Sequence, residues 1–196
     1  MEKNFFLNSS KCIFDLQKDI DDFLFISKKI IRVLSSKKKL LIAGNGGSNS
    51  DAIHFAAELT NTFINKKRKG LNAIALGQNT SEISSWSNDY SFNTFLKRQV
   101  QSYGSTGDVL FLLSTSGGSL RHKKSINLIK AAEEARKKGL FVISLLGKNG
   151  GDLKKKIYSN YFYLVKSDNI AIIQQAHINI LHYICLIIDS DKNFIK

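Results

Sequence analysis

The sequence predicts an α/β fold, with one five-stranded parallel sheet flanked by helices and preceded by N-terminal helices. Short, uninterrupted apolar runs alternate with helical patterns along the chain, and strands of that kind are buried on both faces of a parallel sheet. The length of 196 residues fits one domain, and 43% hydrophobic with 23% charged residues is the composition of a globular protein with a full core. The chain lacks proline and shows no low-complexity stretch or internal repeat, so we expect a single domain over 1–196.

The first half of the chain predicts N-terminal helices followed by strand–helix units. Apolar side chains in residues 9–36 recur every three or four positions with Asp and Lys between them, which indicates one or two amphipathic helices. A short apolar run at 39–43 predicts the first strand, which ends in a cluster of glycines. A helix over 49–64, a strand over 71–76 and a helix over 90–103 follow.

The second half repeats the alternation. Strands are predicted at 108–113, 140–146 and 161–165, with helices at 123–138 and 170–189, and Gly139 would end the first of these helices. Ligands of such sheets bind beyond the carboxyl ends of the strands, so candidate functional residues are sought in the loops that follow the strands.

The formal net charge of +13, from 29 Lys and Arg against 16 Asp and Glu, is unusual for a soluble domain. Such an excess can indicate nucleic-acid binding. The basic residues, however, form short clusters spread over the whole chain, without zinc-finger spacing, an aromatic RNA-binding strand or a basic zipper. A lysine-rich surface that attracts an anionic small substrate is the favoured interpretation, and no nucleic acid is expected as a partner.

Neither the cysteines nor the hydropathy indicates export or a membrane. Cys12 and Cys185 lie far apart and lack CxxC spacing, so two reduced thiols are favoured over a disulfide. No run approaches the ~20 uninterrupted apolar residues of a membrane span. The N-terminus lacks a basic segment followed by an apolar stretch and a cleavage site. We therefore expect a cytoplasmic protein without a membrane partner.

Two loops at strand ends carry possible ligand contacts. Residues 44–48, Gly-Asn-Gly-Gly-Ser, open a helix, and their small size lets the backbone approach an anion, although glycine is also used there for steric reasons alone. The loop is neither a Walker A nor a dinucleotide-binding sequence. Residues 114–119, Ser-Thr-Ser-Gly-Gly-Ser, offer four hydroxyls, which suit a neutral phosphate cradle better than a simple helix cap.

Histidines and a glutamate add possible acid–base chemistry. His54 and Glu58 lie at i and i+4, so they face one site as an ion pair, a metal-ligand pair, or a base with a helper. Their apolar neighbours argue against a solvent-exposed face. His177 and His182 follow on the last helix, where a lone histidine is more often a core residue than a catalyst. His122 lies in a basic stretch and is expected to be exposed.

Taken together, these motifs closely resemble those of the phosphoheptose isomerases, which have the sugar isomerase (SIS) fold. The resemblance runs in order over nearly the whole chain, up to residue 189. It rests on Gly44-Asn-Gly-Gly-Ser48, Asp51-Ala-Ile-His-Phe-Ala-Ala-Glu-Leu-Thr60, Asn88-Asp89, Gly107-Asp-Val-Leu, Ser114-Thr-Ser-Gly-Gly-Ser119, and Ile173-Gln-Gln-Ala-His177 with His182.

The resemblance implies an aldose–ketose isomerase that converts sedoheptulose 7-phosphate to D-glycero-D-manno-heptose 7-phosphate through an enediol. This is a step of heptose nucleotide biosynthesis for lipopolysaccharide or capsule. By motif position, Glu58 would be the base and His182 the acid. The implied substrate contacts are Asn45, Gly46, Gly47, Ser48, Glu58, Asn88, Asp89, Ser114, Thr115, Ser116, Ser119 and Gln174.

The resemblance also implies a zinc ion and a homotetramer with sites at subunit interfaces, in which segment 1–36 would serve in oligomerisation. The implied zinc ligands are His54, Glu58, Gln174 and His182. Gln174 and His182 are eight residues apart, about 12 Å along a helix, so one ion would need a distorted helix or ligands from different chains.

Three departures from the family pattern leave the substrate's identity open. Extra residues, including 120–124, follow Ser119, while Ala171 stands where an Asp is usual and Gln175 where a Glu is usual. One alternative is another SIS isomerase, acting on a hexose or pentose phosphate. The other is a non-catalytic SIS regulator that binds the replication initiator DnaA, although Glu58, His182 and Ser116 favour the enzyme.

Overall fold

The computed structural model describes residues 3–195, so Met1, Glu2 and Lys196 of the predicted domain lie outside it. Within that range the chain forms a five-stranded parallel sheet in the order β2-β1-β3-β4-β5. The strands are β1 (Leu40–Ala43), β2 (Ala73–Ala75), β3 (Val109–Ser114), β4 (Phe141–Leu146) and β5 (Tyr161–Leu164). The predicted α/β class and the five parallel strands are confirmed.

Seven α-helices of the described chain surround the sheet. They are α1 (Phe5–Asp15), α2 (Ile20–Ser35), α3 (Gly47–Thr60), α4 (Thr80–Asp89), α5 (Phe95–Tyr103), α6 (Ile126–Lys137) and α7 (Ile170–Asp189). A 3-10 helix, Leu16–Asp19, joins α1 to α2, so the predicted N-terminal helical segment consists of two helices.

Alternating side chains of the central strand β3 fill two separate cores. Phe111 and Leu113 point into the core that α2, α3 and α7 cover, whereas Leu110 and Leu112 point into the core covered by α5 and α6. All six residues of β3 are buried. This double burial explains why the strands read as continuous apolar runs.

The prediction for 90–103 is wrong in its boundaries, because α4 was missed and α5 begins only at Phe95. Helix α4 has few apolar residues, so its periodicity is weak, and it is defined instead by its cap. The Asn79 side chain accepts hydrogen bonds from the backbone N–H groups of Ser81 and Glu82. A 3-10 turn, Phe92–Thr94, then separates α4 from α5.

Other boundaries also differ from the sequence predictions. Helix α3 begins at Gly47 and ends at Thr60, and α6 starts three residues later than predicted. The later start of α6 has a backbone cause, since Lys123 and Ser125 have positive φ angles of 51° and 49°. By contrast, α7 has the predicted bounds, and Gly139 follows the end of α6 with a φ of 74°.

Helix α7 contributes more than any other helix to one core. By length and composition it is the one described helix that could cross a membrane. Instead, its Ile173, Ile180 and Ile184 are fully buried in contact with the same core as α2 and α3. Cys185 is buried on this helix and Cys12 is half-buried; both are free thiols, as expected from the sequence.

His177 is a core residue of α7 with no exposed surface. Its Nε2–H donates to the Leu146 carbonyl at 3.4 Å, and its buried Nδ1 has no partner among the described residues. Burial lowers the pKa of the His177 imidazole from 6.5 to about 4, against the smaller opposite effect of the Leu146 hydrogen bond. The sequence interpretation of His177 as a core histidine is therefore confirmed.

This depressed pKa makes stability depend on pH. The unfolded chain takes up a proton at His177 near pH 6.5 and the folded chain only near pH 4, so stability is lost as the pH falls through that window. We expect a loss of about 3 kcal/mol from this residue. Replacing His177 with Met should flatten the pH dependence of the unfolding free energy, measured in urea at pH 7, 5.5 and 4.5. An unchanged slope would contradict the assignment.

Candidate active site

The candidate residues form two groups: two loops at the carboxyl edge of the sheet, where α3 and α6 begin, and a cluster further along α3 and α7. The chain leaves β1 and enters α3 through a sharp turn at Gly44, where a Cβ would come within 2.4 Å of the Ser48 backbone. Gly46 adopts a φ of 54°, which favours glycine. Glycine is therefore required sterically in this loop, and Ser48 is buried in the first turn of α3.

A reciprocal amide pair links the glycine loop to the helix after β3. The Asn45 side chain donates to Asn127 Oδ1 at 3.0 Å, and Asn127 donates back to Asn45 Oδ1 at 2.7 Å. Asn127 is 1% exposed and was not among the sequence candidates. This contact fixes the glycine loop relative to the first turn of α6.

The serine-rich loop is stabilised by a hydrogen bond between its first side chain and its own backbone. Ser114 Oγ accepts from the Gly117 N–H at 2.9 Å, and Gly117 and Gly118 both have positive φ angles. The loop lies directly on the β4–β5 connection, since a Cβ on Gly117 would come within 1.9 Å of the Gly150 carbonyl oxygen. Thr115 and Ser116 are half-buried, and neither hydroxyl has a hydrogen-bond partner within residues 3–195.

Ser119 differs from the other loop hydroxyls because its side chain stabilises the following turn. Its Oγ accepts from the His122 N–H at 3.2 Å, and its backbone pairs with Lys124 through two hydrogen bonds. Ser125, which was not among the candidates, lies just before α6, and its side chain makes no capping bond.

The candidate acid–base residues Glu58 and His182 lie together with His54. His54 Nε2 lies 3.0 Å from Glu58 Oε1, and the ring centroids of His54 and His182 are 5.2 Å apart. Phe63 stacks on His182 with a centroid distance of 5.4 Å and an interplanar angle of 16°. The structure thus brings both predicted acid–base residues to one place on the contact between α3 and α7.

The expectation that His54 and Glu58 avoid a solvent-exposed face is wrong for the single chain. The side chain of His54 is 45% exposed and that of Glu58 24% exposed. The neighbouring Ile53 on the same helix is 38% exposed. The apolar neighbours that motivated the expectation are therefore partly at the surface of the chain.

Gln174 contacts the first turn of α3, about two turns of α7 away from His182. A Cβ on Gly47 would come within 2.4 Å of the Gln174 side-chain amide, which also lies near the Asp51 carboxyl. Burial raises the pKa of Asp51 against the smaller opposite effects of Gln174 and His54, and its buried Oδ2 has no partner in the described chain. Asp51 was missed, although its i, i+3, i+7 spacing with His54 and Glu58 places it on the same helix face.

The residues implied as zinc ligands do not form a metal site within one chain. Gln174 lies beside Gly47 and Asp51, whereas His182 lies beside His54, so the two occupy different levels of the α3–α7 contact. No group of three or more His, Cys, Asp or Glu side chains in residues 3–195 has the arrangement of a metal site. The donors present in the single chain therefore do not fit a zinc ion.

Asn88 and Asp89 lie apart from this cluster. Both are exposed at the end of α4, where Asn88 Nδ2 donates to Asp89 Oδ1 at 2.8 Å. No polar contact joins either residue to α3, α7 or the serine-rich loop in the described chain. A role in substrate contact stays a prediction for these two residues.

A buried ion pair supports the end of α3 that carries Glu58. The Arg68 guanidinium pairs with the Asp189 carboxylate and donates to the Glu58 and Leu59 carbonyls at 2.5 and 2.9 Å. The Asp189 carboxylate also accepts hydrogen bonds from the backbone N–H groups of Ile64 and Asn65, which lie in the loop after α3. Although burial opposes it, these donors lower the pKa of Asp189.

Replacing Gly47 with Ala tests the position of Gln174. The backbone of Gly47 is helical, and Ala is up to about 1 kcal/mol more favourable than Gly in a helix. The variant is therefore expected to fold with equal or higher stability. The new methyl group would displace the Gln174 amide, and we expect about 10²-fold lower turnover. Gln174→Ala should show a similar loss, and the double variant no further loss; full additivity would contradict this account.

Fold and site together define a SIS-domain protein, and the sequence profile of the SIS domain matches residues 11–147. The phosphoheptose isomerase of Helicobacter hepaticus is 44% identical over 191 residues, which cover 97% of this chain and 91% of the relative. Solved phosphoheptose isomerases from Francisella tularensis and Neisseria gonorrhoeae superpose with TM-scores of 0.85 and 0.83 at 32% and 33% identity. The first superposition covers 96% of this chain and 96% of the Francisella chain, and the second covers 95% of this chain and 95% of the Neisseria chain. The chain belongs to the phosphoheptose isomerase family and is an isomerase.

Proposed function

We propose that this chain converts sedoheptulose 7-phosphate to D-glycero-D-manno-heptose 7-phosphate through an enediol. The observation that carries the proposal is the cluster of Glu58, His54 and His182, which lies on the contact between α3 and α7. It stands about 16 Å along α3 from the glycine loop of the same chain, so a complete site would combine the cluster with loops of another subunit. Aldose–ketose isomerisation needs one group that moves a proton between carbons and another that serves the oxygens. A carboxylate beside an imidazole provides both.

In the proposed mechanism the Glu58 carboxylate removes a proton from C1 of the ketose and later returns it to C2. His182 donates a proton to the carbonyl oxygen at C2 and takes one from the hydroxyl at C1, so protons balance over the whole reaction. The hydrogen bond from His54 Nε2 holds the Glu58 carboxylate in one orientation. The stack of Phe63 on His182 restricts the acid in the same way.

The substrate phosphate is proposed to bind the serine-rich loop. The hydroxyls of Thr115 and Ser116 have no partner in the described chain, and they lie beside backbone whose conformation depends on two glycines. Hydroxyls and free backbone N–H groups bind a phosphate without a cation. Gln174 and the glycine loop, which lie together at the start of α3, would then contact the sugar.

A homotetramer with sites at subunit interfaces is proposed from the exposure of the cluster. Catalysis through an enediol intermediate benefits from the exclusion of water, yet His54 is 45% exposed in the single chain. Exposed apolar side chains on α1 and α3, such as Phe6, Phe14 and Ile53, offer surfaces for a second copy. Light scattering coupled to gel filtration measures the assembly directly.

Zinc stays a proposal of the family resemblance alone, and no step above depends on it. The implied ligands His54, Glu58, Gln174 and His182 would need a second chain to approach one ion, because one chain holds Gln174 apart from the others. Elemental analysis of protein purified without chelators measures the metal content. A cytoplasmic role in the supply of heptose nucleotides for lipopolysaccharide or capsule is likewise proposed on the resemblance.

The deciding experiment follows sedoheptulose 7-phosphate by NMR and looks for the aldose product. Ketohexose and ketopentose phosphates, assayed in parallel, test whether the three departures from the family pattern have changed the preferred substrate. Absence of turnover with every sugar phosphate would contradict the proposed function. Turnover of a shorter sugar alone would keep the reaction and change the substrate.

A further inference from the structure

The basic segment 120–124 forms a compact turn next to the serine-rich loop. Its two ends meet, because the backbones of Ser119 and Lys124 exchange hydrogen bonds of 2.8 and 2.9 Å. Lys123 occupies the left-handed region, and the Lys123 N–H donates to the Leu120 carbonyl. The extra residues therefore project from the loop in a defined conformation.

The turn is fixed against the connection between β4 and β5. The Leu120 N–H donates to Asp152 Oδ2 at 2.6 Å, and the Asp152 N–H donates to the Gly118 carbonyl at 3.1 Å. These bonds cross from one loop to the other in both directions. The backbone of the turn is thus anchored beside the serine-rich loop.

A cavity of about 710 Å³ lies between these two loops. Its lining includes the hydroxyl-bearing Ser116 and Ser119 and the basic Arg121, Lys124 and Lys155. Because Ser116 also belongs to the proposed phosphate cradle, the cavity adjoins the position of the substrate phosphate.

The charge in this cavity is positive. Asp152 is its one acidic lining residue, and it is already paired with Lys155 at 2.5 Å and bonded to the Leu120 N–H. These two partners lower the pKa of Asp152, so it stays a carboxylate that offsets Lys155. Arg121 and Lys124 have no acidic side chain within 4.0 Å among residues 3–195. Their two positive charges are therefore available to bind an anionic ligand.

We propose that this cavity binds a phosphoryl dianion, with Arg121 and Lys124 as its cations and Ser116 as a hydrogen-bonding partner. The proposal rests on the proposed function for the position of the cradle, but its binding test does not require turnover. The phosphoryl group belongs either to the sugar phosphate itself or to a second, separate anion such as orthophosphate. The turn would thus add cationic recognition to a loop that otherwise binds phosphate with neutral groups.

The test compares Arg121→Ala/Lys124→Ala with the matched variant Arg136→Ala/Lys137→Ala. Arg136 and Lys137 are exposed in the last turn of α6, about 15 Å or more along that helix from the cavity, and their removal changes net charge equally. Titration of the full-length protein with inorganic phosphate, followed by calorimetry, is the direct readout. We expect the first variant to bind phosphate at least ~10-fold more weakly and the matched variant to bind like the wild type.

Steady-state kinetics then separate the two sources of the phosphoryl group. If the site holds the substrate's phosphate, KM rises about 10-fold in Arg121→Ala/Lys124→Ala with kcat unchanged, and orthophosphate competes with substrate. If it holds a second anion, orthophosphate changes kcat without competing, and the variant loses that effect. Equal phosphate affinity in all three proteins, or equal losses in both variants, would overturn the proposal. A wild-type protein that binds phosphate but turns over no sugar phosphate would instead count against the proposed function.

Discussion

Replacing Glu58 with Gln is expected to lower sugar-phosphate turnover by about 10²–10⁴-fold, the usual effect of removing a general base. The amide keeps the size of the side chain and its contact with His54, 3.0 Å away, but it accepts no proton from carbon. NMR in D₂O measures both product formation and deuterium incorporation at C1 and C2. Both should fall together, because one carboxylate serves both carbons.

His182→Asn is the companion variant, and Glu133→Gln is the control. His182→Asn should also lower turnover, since it removes the group that serves the oxygens and abolishes the stack on Phe63. Glu133 lies on α6 in a surface pair with Lys130, so its replacement should leave turnover unchanged. Wild-type deuterium exchange in Glu58→Gln would exclude Glu58 as the base.

The second large effect is expected for Arg68→Met, which leaves the Asp189 carboxylate buried without its cation. Removing one partner of a buried ion pair costs about 3–5 kcal/mol, a large part of the stability of an average domain. The same change removes the donors to the Glu58 and Leu59 carbonyls at the end of α3. Urea unfolding at pH 7 measures the loss of unfolding free energy.

Two comparisons keep this prediction informative even if Arg68→Met folds poorly. Lys130→Met removes a partly exposed pair with Glu133 and should cost less than about 1 kcal/mol. Arg68→Met/Asp189→Leu removes both charges and should be more stable than Arg68→Met alone. If the double variant is less stable than the single one, the buried charge is not the cause.

The pKa of Asp189 adds a pH dependence to the same pair. Its folded pKa is lowered, so its contribution to stability is fully present above its unfolded pKa near 3.9 and is lost as the pH falls through the folded pKa. This window lies below that of His177, whose contribution is lost between pH 6.5 and about 4. The two groups are therefore separable by the pH range in which each variant differs from wild type.

The sequence predicted the fold well wherever apolar residues carried the information. The five strands were identified because both faces of β3 and its neighbours are buried, and α7 because its apolar pattern is continuous. Helix α4 was missed because its start depends on the polar side chain of Asn79 rather than on apolar spacing. Hydrogen bonds of this kind leave only a weak trace in hydropathy.

For the site, proximity along one helix was predictable and proximity between helices was not. The i, i+4 spacing placed His54 beside Glu58, and the observed 3.0 Å contact agrees with it. The approach of Gln174 to Asp51, and the pairing of Asn45 with Asn127, depend on how α3, α6 and α7 lie on the sheet. Neither contact has a signal in the spacing of residues along the chain.

The closed turn at 120–124 also affects how this chain can vary in length. Because Ser119 and Lys124 are already hydrogen-bonded to each other, residues between them can be added or removed while the strand before and the helix after keep their positions. The entropic cost of a longer loop rises only slowly with its length. The loop is thus a place where evolution can exchange one surface for another within a constant catalytic framework.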